Sequence, residues 1–279
     1  MNIRNLMRNG INDEYGIQKL QNVILNIMLD IDNLCNKHNI DYYIIGGTAL
    51  GAVRHGGFIP WDDDLDIAMT RDNYIRFLEI SRKEMYVDYY IQEGGLDWPI
   101  YFSKVRLKKT YVNEFEENVY VPKENQGIYV DIFPLDNVPN NRIGQIWWYF
   151  CGKALVAYSL HKRGYSSASM GRKIIIALTF PIEIGIIRKF LLKQITKYNI
   201  RKTNYIGGFS MISRLNNAFM LSSYWGKPIR IPFETVNLMA PANLDGFLSF
   251  YFGNYMKLPP VEKRQGKHFI TVDYGPYSE

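Results

Sequence analysis

Cysteine is nearly missing: 279 residues contain two, Cys35 and Cys151. That excludes a disulfide scaffold and a cysteine-based zinc site, and fits buried free thiols in a reducing compartment. Long apolar runs are missing too. The longest candidate, Ile174 to Ile187, contains Pro181 and Glu183 and falls short of the roughly 18–20 apolar residues of a membrane span. Met1 to Gly10 has no long apolar stretch and no small-residue cleavage site, so no signal peptide is expected. No fixed-period repeat and no low-complexity linker is visible, which excludes solenoid and collagen-like architectures. What is present is a foldable chain, 47% apolar and 15% aromatic with 21 Tyr, long enough for one large domain or two small ones.

Acidic residues are scarce in one place. Residues 142–214 hold 13 Lys and Arg against the single acid Glu183, so this stretch carries +12 and the remainder −6, within a net charge of +6. The same stretch holds the apolar runs Ile146 to Phe150 and Ile174 to Leu178. Basic and apolar residues together, with Trp and Tyr, describe helices that can lie in a membrane interface. The competing reading is an insert that packs its apolar faces on the core and leaves its cations in water. No recognised nucleic-acid motif accompanies the charge, so no nucleic-acid partner is expected.

Periodicity predicts an amphipathic helix over 12–39, a short strand at Tyr42–Ile45, a Gly46-Gly47-Thr48 turn and a short helix to His55. A strand at Leu65–Met69 and a helix at Asp72–Lys83 follow. Further strands are expected at Tyr89–Gln92, Tyr101–Leu107, Tyr111–Phe115 and Gly127–Phe133, the last ended by Pro134 and Pro139. Helical sequence covers about 143–201, Gly207-Gly208 marks a loop, and Asn243–Phe252 reads as a helix before the stop at Pro259-Pro260. This order is α+β. It suggests three parts: a catalytic core at 1–140, a basic apolar helical segment at 141–215, and a C-terminal part at 216–279 that returns to the core.

The chemistry concentrates in residues 46–69. On a strand, residues two apart share a face, so Asp64 and Asp66 point together while Leu65 and Ile67 point into the core. Two adjacent carboxylates repel unless a cation sits between them, and hard oxygen ligands select Mg²⁺ or Mn²⁺. A glycine turn opening a helix lets backbone N–H groups approach an anion, and Thr48 is placed to cap that helix and donate to phosphate. A third acid is expected for a two-metal arrangement. Asp131, a lone acid in the apolar strand Ile128 to Phe133, is the best candidate; its alternative is a buried Asp capping a turn. Asp136, after Pro134, is expected to serve the turn.

These residues resemble the LicD family, within the nucleotidyltransferase-fold superfamily, most closely at His55-Gly56-Gly57-Phe58-Ile59-Pro60-Trp61-Asp62-Asp63-Asp64-Leu65-Asp66. Lys104-Val105-Arg106, Asp131 to Asp136 and the tail Tyr251 to Pro260 look family-like as well, so that the likeness covers roughly 35–140 and 240–270. The resemblance implies a nucleotidyltransferase-like mixed-sheet core with flanking helices, to which the basic segment is added. It implies transfer of a phospho-alcohol, best known as phosphocholine from CDP-choline, to a sugar hydroxyl of teichoic acid, lipopolysaccharide or capsule, with release of CMP. Gly46, Gly47 and Thr48 would cradle phosphate, and Asp64, Asp66 and Asp131 would hold Mg²⁺. Lys104 and Arg106 share one strand face and would neutralise the leaving CMP, or else form a solvated strand face. His55 is either a helix C-cap or a contact to phosphate or acceptor, while Arg54 stands beside it. Trp61 either stacks on a base or a quaternary ammonium, or anchors the acidic loop. His268 in the tail is a candidate to close over the donor. A lipid-linked acceptor would place the protein in the cytoplasm, peripheral to the inner face of the cell membrane. Two other readings stand beside this one: a nucleotidyltransferase that releases pyrophosphate, and a non-catalytic membrane or glycan-binding module.

Overall fold

A computed structural model describes residues 3–8, 13–95, 99–114, 122–163, 179–211, 214–266 and 269–278. The fold is α+β. Among the described residues the elements are α1 (Gln18–Lys37), β1 (Tyr43–Ile44), α2 (Gly46–Arg54), β2 (Asp66–Thr70), α3 (Arg71–Glu84), β3 (Tyr89–Gln92), β4 (Ser103–Leu107), β5 (Tyr111–Glu114) and β6 (Tyr129–Val138). Then come α4 (Arg142–Lys162), α5 (Gly185–Thr196), β7 (Tyr205–Gly207), β8 (Met220–Leu221), α6 (Ser222–Trp225), β9 (Ile229–Phe233), β10 (Val236–Ala240), α7 (Leu244–Phe252) and β11 (Phe269–Asp273).

The main sheet is mixed, in the order β1-β2-β6-β4-β3, with β7 joined to the far end of β6 and β8 to β7. β2 and β6 run parallel, and their neighbours are antiparallel. β6 is long because it changes partners along its length. Its first half pairs with β4, and Asp136 to Val138 pair with β7. Two apolar clusters follow from this. The larger unites α1, α2, α3 and the sheet with Trp225, Phe233, Leu238 and Phe247 from the C-terminal part. The smaller gathers Trp148, Leu155, Tyr158, Ile182, Ile195 and Phe209. Both cysteines are buried and free, one in each cluster.

α1 begins at Gln18, not near residue 12, because Gly16 takes a left-handed φ of 68° and the Asp13 carboxylate accepts from the Ile17 and Gln18 N–H groups. The Gly46-Gly47-Thr48 turn is the first turn of α2 itself, and Thr48 does not cap it; Ile45 precedes the helix with no side-chain cap. Pro134 does not end β6. The Asp131 N–H bonds to Leu65 on the β2 side, so alternation turns the nitrogen of residue 134 to the other edge. There β4 has already ended opposite Ile132 and β7 begins at Asp136, so no partner misses the proline's N–H. Gly207 lies in β7 and not in a loop; a Cβ there would press on the Trp148 ring and the Ala218 carbonyl. Asp136 serves no turn. It is fully buried, gripped by two Arg71 nitrogens at 2.9 and 2.6 Å and by Asn199 Nδ2 at 2.7 Å. The predicted helical stretch resolves into α4, a short 3-10 turn and α5, while Ile174 to Leu178 and Phe115 lie outside the described residues.

The C-terminal part is fastened to the core by buried charges. Arg230 of β9 forks onto Asp32 of α1 at 2.8 and 3.0 Å, and Tyr42 donates to the same carboxylate. Glu234, in the β9–β10 turn with φ 51°, has a side chain 1% exposed. It accepts from the Phe58 N–H at 3.0 Å and from Arg8 Nε at 3.2 Å. Its oxygen fills the space where a Cβ on Gly57 would stand. Truncation by Glu234→Ala leaves those donors unpaired and is expected to cost about 2 kcal/mol or more in urea unfolding. Gly57→Ala displaces the same carboxylate, so the double variant should lose much less than the sum of the two.

Candidate active site

Parallel pairing puts Asp66 of β2 directly beside Asp131 of β6, and antiparallel pairing puts Lys104 of β4 on the other side of Asp131. Gln92 of β3 follows in the same row. Register partners share a face, at about 4.8 Å between strands, so this row is one polar stripe across the sheet. Lys104 Nζ stands 2.9 Å from Asp131 Oδ1 and 3.4 Å from the centre of the Tyr129 ring. Asp131 therefore lies within β6 with a cation at its carboxylate. Lys104 and Arg106 do share a face, but they are both buried, which overturns the solvated-face alternative. Arg106 turns inward, donating to Gln92 Oε1 at 2.5 Å and to the Gly127 carbonyl at 3.1 Å, with its guanidinium over Tyr129.

The glycine start of α2 faces this stripe. Gly46 has φ 55°, and a Cβ on it would stand 3.2 Å from Asp66 Oδ2. A Cβ on Gly47 would collide with Asp62 Oδ2. The two glycines thus let carboxylates approach the helix backbone. Thr48 is buried, and its Oγ1 accepts from the Asp66 N–H at 2.9 Å, tying α2 to the head of β2. Asp64 precedes β2. The acids Asp62, Asp63 and Asp64 bring carboxylate oxygens within 4.8 Å of one another. Burial and the charges of Asp64, Asp131 and Asp62 hold the Asp66 carboxyl well above its usual pKa, with Lys104 opposing. Among the described residues Asp62, Asp63 and Asp64 are the three carboxylates drawn this close together, an all-oxygen group that fits a hard divalent cation such as Mg²⁺ or Mn²⁺. The expected trio of Asp64, Asp66 and Asp131 is not gathered as closely, Asp66 standing beside the group and Asp131 next along the sheet.

The rim is built from distant sequence. Asp63 is buried, and its Oδ2 accepts from the Phe269 N–H at 3.4 Å, while the Phe269 ring meets Tyr129. The tail thereby closes over one edge of the acids. Trp61 is half-buried between Tyr15 and His55, with the Arg264 guanidinium over its ring at 5.4 Å. Arg54 reaches the Tyr255 carbonyl at 3.1 Å. His55 occupies the C-cap of α2, but not as a cation. Burial first, then Arg54 and Arg8, lower its pKa to about 4. It lines a cavity of about 220 Å³ together with Arg8 and Glu234, and Arg8 donates to its carbonyl at 2.5 Å. His268 lies outside the described residues.

Residues 39–157 match the family model described as LicD/FKTN/FKRP, nucleotidyltransferase domain. These residues form a LicD-family domain. Lipopolysaccharide cholinephosphotransferase LicD of Haemophilus influenzae is 29% identical over 257 residues, 90% of this chain and 96% of that protein. An uncharacterized protein of Rickettsia typhi is 33% identical over 48% of each chain. Ribitol 5-phosphate transferase FKRP of Mus musculus is 28% identical over 34% of this chain and 17% of its own. A phosphotransferase is thus the enzyme class of the protein. The matched stretch contains the whole polar stripe and α2.

Sequence reading missed Glu234, Arg264 and Phe269, which brace the acidic loop and its surroundings from far along the chain. An isolated acid in a Pro-Phe-Glu-Thr turn gives no pattern to find, although its unusual φ is a structural signal. Two outcomes follow from the electrostatics. Between about pH 6.5 and 4 the unfolded chain protonates His55 and the folded chain does not, so stability falls as pH drops through that window. His55→Gln should flatten this part of a Tm-against-pH curve. Asp66→Asn removes a crowded charge and should raise the stability of the metal-free protein by on the order of 1 kcal/mol, read by thermal unfolding in EDTA.

Proposed function

We propose that the protein transfers a phospho-alcohol, phosphocholine first among the candidates, from a CDP-activated donor to a sugar hydroxyl of a cell-surface glycan precursor. Teichoic acid, lipopolysaccharide and capsule precursors are the acceptor classes considered, and CMP is the product released. The main support is the register of Asp66 beside Asp131, backed by Lys104 and facing the glycine start of α2. The cholinephosphotransferase and the ribitol phosphate transferase matched by this chain both move a phospho-alcohol by name.

In this reading residues 1–140 form the catalytic core, 141–215 the basic segment, and 216–279 the part that returns to brace the core. The acceptor hydroxyl attacks the phosphorus bonded to the alcohol, and the bond from that phosphorus to the CMP oxygen breaks. Asp64, Asp66 and Asp131 would hold Mg²⁺ or Mn²⁺, which when bound neutralises charge on the donor diphosphate. The N–H groups of Gly46, Gly47 and Thr48 offer anion contacts at the start of α2. Asp131 orients the acceptor hydroxyl or takes its proton. Lys104 fixes the Asp131 carboxylate and carries positive charge toward the leaving CMP, while Arg106 acts from behind by holding Gln92 and Tyr129 in place. Arg54, neutral His55 and Trp61 border the site on the α2 side. A quaternary ammonium on Trp61 would have to displace Arg264. The acceptor is taken as lipid-linked, with the protein peripheral to the inner face of the cell membrane.

Purified protein with Mg²⁺ and a membrane glycolipid extract should release CMP from one of CDP-choline, CDP-ribitol and CDP-glycerol. Asp64→Ala and Asp66→Ala should each lower that rate about a hundredfold or more, since charge stabilisation of this kind is typically worth about 10²–10³. Pyrophosphate released from nucleoside triphosphates, without CMP from any donor, would establish the nucleotidyltransferase reading instead.

A further inference from the structure

The basic segment carries a two-helix surface that the carboxylate site does not use. α4 and α5 lie antiparallel. Trp147 Nε1 donates to Gln194 Oε1 at 3.2 Å near one end, Arg188 donates to the Tyr158 hydroxyl at 3.0 Å, and Lys162 pairs with Glu183 at 2.8 Å near the other. The inner face of α4 buries Trp148, Cys151 and Leu155 in the smaller apolar cluster. Its outer face presents Ile143, Trp147 and Phe150, spaced four and three residues apart and therefore aligned. Ile143 is 82% exposed and Phe150 60%. α5 repeats the pattern: Ile186, Phe190, Lys193 and Lys197 fall on one stripe, and Ile186 is 79% exposed. The Trp147–Gln194 bond sets the two outer stripes side by side.

Scattered exposed apolar residues are ordinary, but an aligned aromatic and aliphatic stripe on two adjoining helices is not. Its charge is one-sided. Arg142, Lys189, Lys193, Lys197, Arg201 and Lys202 are exposed around it, and Glu183 is the one acid between residues 142 and 214. No helix among the described residues is long and apolar enough to cross a membrane, so this surface does not belong to a span. We propose that the outer face of α4 and α5 docks on an anionic lipid bilayer. Trp147, Phe150, Ile186 and Phe190 enter the headgroup boundary while the lysines pair with lipid phosphates and carboxylates. An aromatic and aliphatic face ringed by cations matches an anionic interface in both chemistry and charge. A protein partner would need a complementary acidic rim, and a nucleic acid would leave the aliphatic stripe without a role. The proposal deepens the reading of a lipid-linked acceptor, and it is tested by binding alone, so either can fail without the other.

The experiment is vesicle flotation of the full chain with phosphatidylcholine vesicles and with vesicles containing phosphatidylglycerol. Binding is expected to the anionic vesicles, with little to the neutral ones, and to weaken as salt is raised. Lys193→Glu/Lys197→Glu should reduce it at least about tenfold, given the cost per basic residue removed from an anionic surface. Trp147→Ser/Phe150→Ser should reduce it comparably at high salt, where the apolar part dominates. Thermal unfolding checks that these surface variants fold, and CMP release from soluble acceptor should be unchanged in them. Equal binding to both vesicle types, binding insensitive to both double variants, or no binding at all would overturn the proposal. So would light scattering that shows a dimer dissociated by Trp147→Ser/Phe150→Ser, because the stripe would then be a contact between two copies of this chain.

Discussion

Asp66 and Asp131 occupy register positions on adjacent parallel strands, and two carboxylates so placed repel each other in a site that is partly out of water. Much of the surrounding structure answers that repulsion. Lys104 is buried beside Asp131, where a solvent-facing strand would ordinarily leave a lysine in water. Asp66 is pushed toward its protonated form, so part of the conflict is removed by a proton rather than by a contact. The helix start at Gly46 and Gly47 lets the Asp66 and Asp62 carboxylates approach its positive end closely. Charge that is costly in the resting protein is charge that a bound cation or phosphate would relieve, and in the proposed reaction that relief would favour binding of the donor.

Holding such an arrangement requires bracing from outside the acidic loop. Thr48 fixes the head of β2 through the Asp66 N–H, and Gln21 of α1 donates to the carbonyls of Ile59 and Asp62. Glu234 and Arg8 lock the Gly56-Gly57 bend that leads into the loop, and Asp63 anchors the tail at Phe269. The second glycine pair is therefore shaped by a carboxylate from far along the chain. Glycine at 57 is needed for close approach, whereas Gly46 is needed for its positive φ as well.

The sequence made the local part of this legible. Alternation placed Asp66 against the core residues Leu65 and Ile67, and a lone acid in an apolar strand singled out Asp131. Alternation on a strand gives the face of a side chain but not its depth, which is why Lys104 and Arg106 could be read as solvated until the covering residues were in place. That β2 and β6 are neighbours is a fact of topology and leaves no trace in either strand. Pro134 was misread because a proline excludes a strand only where its nitrogen faces a partner, and strand endings on a neighbouring edge cannot be seen from β6 alone. Asp136 was misread for the same reason: Arg71 and Asn199 become its partners only after α3 and the segment following α5 are folded back. The basic composition of 142–214 was plain, but the alignment of Trp147 with Phe150 and their placement beside α5 required the antiparallel packing.

β6 joins the two halves of the molecule in a single strand. Asp131 stands in the carboxylate stripe, and five residues further along, at about 3.3 Å per residue, Asp136 sits in the grip of Arg71 and Asn199. Asn137 extends that grip, accepting no slack: its N–H donates to Asn199 Oδ1 at 2.7 Å and its side chain to the Arg201 carbonyl at 2.8 Å. Asn199 and Arg201 follow directly on α5, so the helical segment is bonded to the strand that carries Asp131. A buried bidentate pair is expensive to break from one side, on the order of 3–5 kcal/mol, and so this joint favours a fixed geometry over a hinge. An extended strand between such a joint and the site transmits position with little loss. If α4 and α5 dock on a bilayer as proposed, this joint would impose the orientation of that surface on the carboxylates, and an acceptor held in the bilayer would meet them at a fixed height.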